Sequence, residues 1–324
     1  MKRTWKTILS LVCVFAMIAS LGIGALAYTD EEIAQIALDA QRALDIQAVE
    51  NVMNLHVMYH CYGEHRAEVE NVWVQEKENR ETATFGQNQG FMLGFGYIWD
   101  GYVEGHDTSW LSSAKRYCEQ NGIDVSGWTD EEILEVYGGV GQLLLHVTTT
   151  AIIEIAEDGK TAKGFWYSPG LVKETGQSAM AIWEAYGADF VKEEGGWKLW
   201  HLHMYTDFTG GFFVDLGGSS ASGEASSGSG EASGTVAAEK PESASIMTSD
   251  QGDMEEIDEF LRHDYLSSPQ YTQYSANRLR SEMEVIPLPL PYETWSFDDP
   301  NYGPTVEEYE ANGIDLDAWY EAHK

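Results

Sequence analysis

The chain has 324 residues and a formal net charge of −34 at pH 7, from 53 acidic against 19 basic side chains. That length allows one or two domains with a sizeable core. A surface this acidic repels phosphate backbones and anionic lipid, so nucleic-acid binding is the function class it excludes most firmly.

Residues 1–27 read as a signal peptide. Lys2, Arg3 and Lys6 precede an apolar run from Ile8, and Ala25-Leu26-Ala27 offers a small-x-small cleavage site. The expected mature chain starts at Tyr28 and is secreted or exposed at the cell surface; an uncleaved N-terminal anchor is the alternative. Of the three cysteines, Cys61 and Cys118 remain after cleavage, either as one disulfide or as two buried thiols.

Helix starts are marked by capping boxes. Thr29 with Glu32, Thr129 with Glu132 and Thr305 with Glu308 each pair a capping hydroxyl with a carboxylate three residues on. From Thr29 to about Gly63 the apolar residues recur near the helical period, which predicts two helices with a break near Asp45. The second runs into the polar cluster from Met58 to Arg66, which holds Tyr59, His60, Glu64 and His65. Val72–Gln75 is the expected first strand, and Phe85–Gly90 a glycine-rich turn leading to an aromatic stretch. Lys115–Glu119 and Thr129–Tyr137 read as helices.

After Gly138-Gly139-Val140-Gly141, residues 146–170 read as a hairpin. Asp158-Gly159 is the expected type I′ turn, since glycine and aspartate tolerate positive φ. Trp183–Phe208 supplies a further strand pair. Helices followed by antiparallel strands predict an α+β domain with a curved sheet over residues 28–216. Residues 217–245 are almost entirely Gly, Ser, Ala and Glu, a flexible linker. The tail, 246–324, carries 18 acids against 4 bases together with a Pro-Leu-Pro-Leu-Pro run. It is expected either to dock on the domain as an extended strip or to remain disordered. Asn121-Gly122-Ile123-Asp124 and Asn312-Gly313-Ile314-Asp315 read as two similar helix-ending turns.

Strand alternation puts His201, His203, Tyr205 and Asp207 on one face, and His146 opens the hairpin. Converging on one concavity, these imidazoles would suit proton abstraction beside a carbonyl or elimination of water. Tyr59, with Glu64 or His60 beside it, could donate to a substrate oxygen. A zinc site from His146, His201 and His203 is the weaker alternative, because no Cys or carboxylate spacing supports it, so no metal or other cofactor is expected. No phosphate-binding glycine loop and no G-x-S-x-G elbow is present.

Thr84-Phe85-Gly86-Gln87-Asn88, the segment His146–Gly170, and Gly196–His203 with Tyr205 and Phe208 together resemble the SnoaL-like branch of the nuclear transport factor 2-like superfamily. The resemblance covers about residues 34–211. It implies a cone: a strongly bent antiparallel sheet around a deep pocket, closed by N-terminal helices and commonly dimeric. It also implies metal-free dehydratases, isomerases, cyclases or non-catalytic binding modules. In the bile-acid dehydratase pattern Tyr59 and His146 take the Tyr and His roles, and Glu64 stands where that pattern has Asp. Members often end in a segment like Pro291–Trp295, which suggests a tail folded back on the domain.

The resulting expectation is a secreted, metal-free lyase acting on an apolar cyclic or phenolic molecule, as a homodimer. His146, Tyr59, Glu64, His201 and His203 are its expected catalytic groups, and Trp166, Tyr167, Tyr205, Phe85 and Asn88 its expected pocket. The alternatives are a non-catalytic small-molecule binding module and an extracellular assembly protein that docks through its tail.

Overall fold

The computed structural model describes residues 28–88, 90–173, 179–211, 286–299 and 301–324. The expected signal peptide, the linker and the tail up to residue 285 lie outside the described residues. The chain divides into two units, Met1–Leu44 and Asp45–Lys324.

The described part of the first unit is the amino-terminal half of helix α1 (Asp30–Tyr62), opened by the capping box. Glu32 accepts from the Thr29 amide at 2.7 Å, and the Thr29 hydroxyl accepts from the Glu32 amide at 3.1 Å. The break expected near Asp45 does not occur. No Gly or Pro interrupts the run, and α1 continues for 33 residues. Asp45 instead serves as an acceptor: its Oδ1 takes hydrogen bonds from Lys192 Nζ and Trp197 Nε1, each at 2.8 Å.

In the second unit α1 is followed by α2 (His65–Asn71), α3 (Lys77–Thr82), β1 (Thr84–Gln87), β2 (Gly90–Leu93) and α4 (Phe95–Trp99). A π-helical turn, Asp100–Glu104, leads into α5 (Gly105–Gln120) and then α6 (Asp130–Tyr137). β3 (Leu143–His146), β4 (Thr149–Ile155), β5 (Thr161–Lys173), β6 (Met180–Glu193) and β7 (Gly196–Gly211) complete a seven-stranded sheet. Its order is β2-β1-β7-β6-β5-β3, with β4 also paired to β5, and it is curved and unclosed. The sheet is not wholly antiparallel, since β1 runs parallel to β7. Val72–Gln75 is no strand: Trp73 makes one bridge to Leu199, and the Phe85–Gly90 stretch is itself the β1–β2 hairpin.

The β4–β5 hairpin forms at the expected place with a longer turn. The Ala156 amide donates to the Thr161 carbonyl, and Gly159, at φ 71°, is the turn residue with positive φ. His146 does not open this hairpin. It ends β3, a separate strand paired with the far end of β5 opposite Gly170.

The tail from Ile286 onward packs against the sheet and is not extended throughout. It ends in α7 (Val306–Ala311) and α8 (Leu316–Ala322). Trp295, Phe297, Tyr309 and Trp319 are buried in the main core beside Trp200, whose ring stacks on Trp319 at 4.9 Å and 9°. Each such aromatic contributes roughly 1.5–3 kcal/mol on burial. Lys163 adds its ammonium over the rings of Tyr292 (4.7 Å) and Trp295 (5.1 Å).

Two faces follow. Gly187, Asp189, His201 and His203 lie under the tail or beside it: Tyr302 covers Gly187, and its amide donates to Asp189. Ser168, Glu184 and Tyr186 lie on the opposite face, toward α1 and Tyr102.

Candidate functional site

The helix-side face gathers a buried polar cluster. On α1, His56 and His60 stand four residues apart and therefore share one side, with ring centroids 6.1 Å apart. The chain then breaks at Gly63, whose φ of 75° suits glycine, and a Cβ there would meet the Trp110 ring at 1.9 Å. This close approach turns His65 and Glu68, on α2, back toward His60. Glu68 is fully buried; its Oε1 meets His56 Nδ1 at 2.7 Å, while its Oε2 lies 3.7 Å from both His60 Nδ1 and His65 Nδ1. His106, on the first turn of α5, packs on His65 with ring centroids 3.8 Å apart and on His60 at 5.7 Å.

From the sheet, His146 faces His60 at 5.7 Å between centroids. Its Nδ1 stands 3.4 Å from both Glu184 Oε2 and the Tyr186 hydroxyl, and that hydroxyl donates to Glu184 Oε2 at 3.2 Å. The Thr206 hydroxyl donates to the other Glu184 oxygen at 3.4 Å. Cys61 fixes the backbone of His146: its Sγ accepts from the His146 amide at 3.2 Å and donates to the His146 carbonyl at 3.6 Å. Cys61 and Cys118 are both free thiols, with no disulfide between them.

The electrostatics follow from burial. Burial alone would raise the Glu68 carboxyl, but attraction to His56 and its hydrogen bond hold it well below the ordinary carboxylate range. Burial depresses His60, and burial together with the neighbouring His65 and His60 depresses His106 to about 4. Burial, then the nearby Glu184, pushes the Tyr186 phenol well above its usual value; burial, then Glu68, does the same to Tyr102. Both phenols stay protonated and remain hydrogen-bond donors.

The structure does not bring all the expected catalytic residues together. His146 is in the cluster. His201 and His203 are on the tail-side face of the same sheet, so the expected convergence of three strand histidines does not occur, nor can they share a metal ion with His146. His201 is fully buried, with Nδ1 2.9 Å from Asp189 Oδ2 and Nε2 3.0 Å from the Tyr309 hydroxyl. His203 stacks on Tyr205 at 3.9 Å, and burial depresses its pKa to about 4. Glu64 is exposed and caps nothing with its side chain, so Glu68 and Glu184 are the carboxylates at the cluster. Tyr59 is half-buried against the core.

Among the expected pocket residues, Phe85 meets Tyr102 edge-on at 5.3 Å on the helix-side face. Trp166 is buried there, its ring over Gly164. Tyr167 and Tyr205 lie on the other face with Phe165. The Asn88 amide is consumed by the backbone of Thr206, at 2.8 and 3.0 Å. A cleft of about 410 Å³ opens instead beside β3, lined by His106, Trp110, Gln142, Leu144, Val172 and Met180 among others. Glu184 and Tyr186 could have been found from the i, i+2 alternation along β6, where two polar side chains share one face.

Residues 120–203 match the family model of the SnoaL-like domain. The SnoaL-like match takes in His146, Glu184 and Tyr186 and stops short of His60, His65 and His106. Among solved structures the chain is similar to the hexachlorocyclohexane dehydrochlorinase LinA-type3 of Novosphingobium barchaimii LL02. That match has 12% identity and a TM-score of 0.37, and covers 53% of this chain and 92% of that one. It is also similar to an NTF2-like protein with a cystatin-like fold from Novosphingobium aromaticivorans, at 13% identity and a TM-score of 0.35 over 56% of this chain and 91% of that one. No curated protein matches the sequence.

Proposed function

We propose that this SnoaL-like chain is a secreted lyase-type protein that binds an apolar cyclic or phenolic molecule and eliminates water from it, with His146 as the base. The supporting observation is the buried set of His146, Glu184 and Tyr186 on the helix-side face. A carboxylate accepting the Nδ1–H of an imidazole holds the tautomer whose Nε2 carries the lone pair. Tyr186 and Thr206 donate to the same carboxylate and keep it in place. In the reaction, Nε2 takes the proton from a carbon beside a carbonyl. The C–H electron pair forms the C=C bond, the C–O bond at the next carbon breaks, and the departing hydroxide recovers a proton from the imidazolium to leave as water. General-base catalysis of this kind contributes about 10²–10⁴ in rate.

The signal peptide read from the sequence and the acidic composition support an extracellular setting. The second reading, a binding module without turnover, is favoured by one observation: the cleft is lined by His106 and Trp110 and not by His146. One experiment separates the two. The chain is incubated with a panel of cyclic β-hydroxy ketones, and conjugated enone is followed by absorbance and by the mass loss of water. Turnover that His146→Ala lowers by about 10²-fold or more supports the lyase. Quenching of tryptophan fluorescence by a panel member that is never dehydrated supports the binding module, and turnover unaffected by His146→Ala overturns the role given to that residue.

A further inference from the structure

The polar cluster between Met58 and Arg66, together with His106, has a use that the elimination chemistry leaves open. We infer that His60, His65 and His106 form a three-histidine site for a first-row divalent metal ion, zinc being the best match, with Glu68 as the buried counter-charge beside it.

Three observations carry this. One donor nitrogen from each imidazole can be chosen so that all three lie within 4.8 Å of one another. Nitrogens on a single tetrahedral ion at about 2.0–2.1 Å stand roughly 3.4 Å apart, so small ring rotations close the set. Second, donor nitrogens on two of the three rings lack hydrogen-bond partners. His60 Nδ1, both ring nitrogens of His65 and Glu68 Oε2 are buried without a hydrogen bond. The 3.7 Å separations between Glu68 Oε2 and these two rings are too long to be one. His60 Nδ1 and His65 Nδ1 thus face one carboxylate oxygen across a gap that calls for an occupant, because buried polar atoms are otherwise paired. Third, the arrangement has the parts of a metal centre that keeps a position open. His106 also lines the 410 Å³ cleft, which gives an ion an approach and a place for a further ligand. His56 holds the remaining Glu68 oxygen at 2.7 Å and so orients the carboxylate.

Imidazole donors favour zinc, copper, nickel and iron over calcium or magnesium, which take oxygen. The site departs from the sequence expectation that no metal is needed. His60 and His65 straddle a helix break, and His106 comes more than forty residues later, so no short spacing advertises it. Metal binding here stands apart from any turnover at His146 and is tested without it.

The full chain is stripped with a chelator, dialysed, and titrated with zinc ion by calorimetry, with metal content read by mass spectrometry. One ion per chain is expected, and His106→Gln, at the half-buried member that lines the cleft, weakens binding about 10–100-fold or more, whereas His323→Gln changes nothing. A stripped chain that takes up no zinc, or a folded His106→Gln variant that binds as tightly as the parent, overturns the site. A second measurement needs no variant: diethyl pyrocarbonate modification of the unaltered chain is mapped with and without zinc. Protection of His106, the member that lines the cleft, is expected, and equal modification of His106 in both samples overturns the inference.

Discussion

The ring of Tyr302 occupies the space that a side chain at Gly187 would fill: a Cβ built there would lie 2.0 Å from Tyr302 Cδ1. The Tyr302 amide donates to Asp189 Oδ2 at 2.7 Å, and its hydroxyl donates to the Pro287 carbonyl at 2.7 Å. One residue thus ties the tail to the middle of β6 and to its own earlier segment. Gly187→Ala is therefore expected to lift this contact and cost about 1–3 kcal/mol, the usual range for overpacking a filled site. Urea unfolding gives the loss, and limited proteolysis should cut within residues 286–324 faster than in the parent. An unchanged cleavage rate would mean that Tyr302 does not hold the tail.

Thr150 is a β-branched residue at φ 56°, where the β4–β5 register shifts between Thr149 and Ile152. Left-handed backbone costs a non-glycine residue about 1–3 kcal/mol, and glycine relieves it while adding up to about 1 kcal/mol of chain entropy to the unfolded state. Thr150→Gly should accordingly raise stability by about 1 kcal/mol, measured as a higher urea midpoint with the slope unchanged. A lowered midpoint would show that the Thr150 hydroxyl, which donates to the Thr149 carbonyl at 2.6 Å, outweighs the strain.

What could be read from the sequence was what depends on near neighbours. The capping boxes at Thr129 and Thr305 form as their spacing implies, and Asn121 and Asn312 end α5 and α7, each followed by a glycine at positive φ. The turn at Gly159 is local in the same way. Which face each strand turns toward the helices was not legible. Bulges at Trp183/Glu184 and Asp189/Phe190 shift β7 against β6, so Trp200 and His201, although consecutive, stack at 4.1 Å. Which face His146 shares with His201 depends on β3 being separate from β4 and on how β5 and β6 carry the register across, and no local pattern reports that. No local pattern singles out Glu68, which is buried against His56 and His60 of α1 and His65 of its own helix.

His203 gives a dependence of stability on pH. Burial depresses its folded pKa from 6.5 to about 4, so the unfolded chain binds this proton first as pH falls. Its contribution is complete above about pH 6.5, declines as pH falls toward 4, and is flat below that, with a total on the order of 3 kcal/mol. In urea titrations from pH 7.5 to 4, His203→Phe should lose stability less steeply than the parent, whatever its absolute value at pH 7.5. Equal slopes would assign the acid sensitivity to other groups.

Glu184 separates the orienting role from the basic one. Its Oε2 stands 3.4 Å from His146 Nδ1 and accepts from Tyr186 at 3.2 Å. Glu184→Gln preserves the size of the side chain but removes the charge, and it offers an N–H where the imidazole and the phenol each need an acceptor. If Glu184 holds His146 in the tautomer with Nε2 as base, kcat on any dehydrated panel substrate should fall about 10²-fold or more while KM changes little, because the lost interaction strengthens as the imidazolium forms. Tyr186→Phe removes one donor to Glu184 and leaves the carboxylate facing His146, so its loss should be smaller, roughly tenfold. The ordering of the two variants is the test. A Tyr186→Phe loss equal to or greater than that of Glu184→Gln would transfer the central part from the carboxylate to the phenol, with Tyr186 contacting the substrate itself.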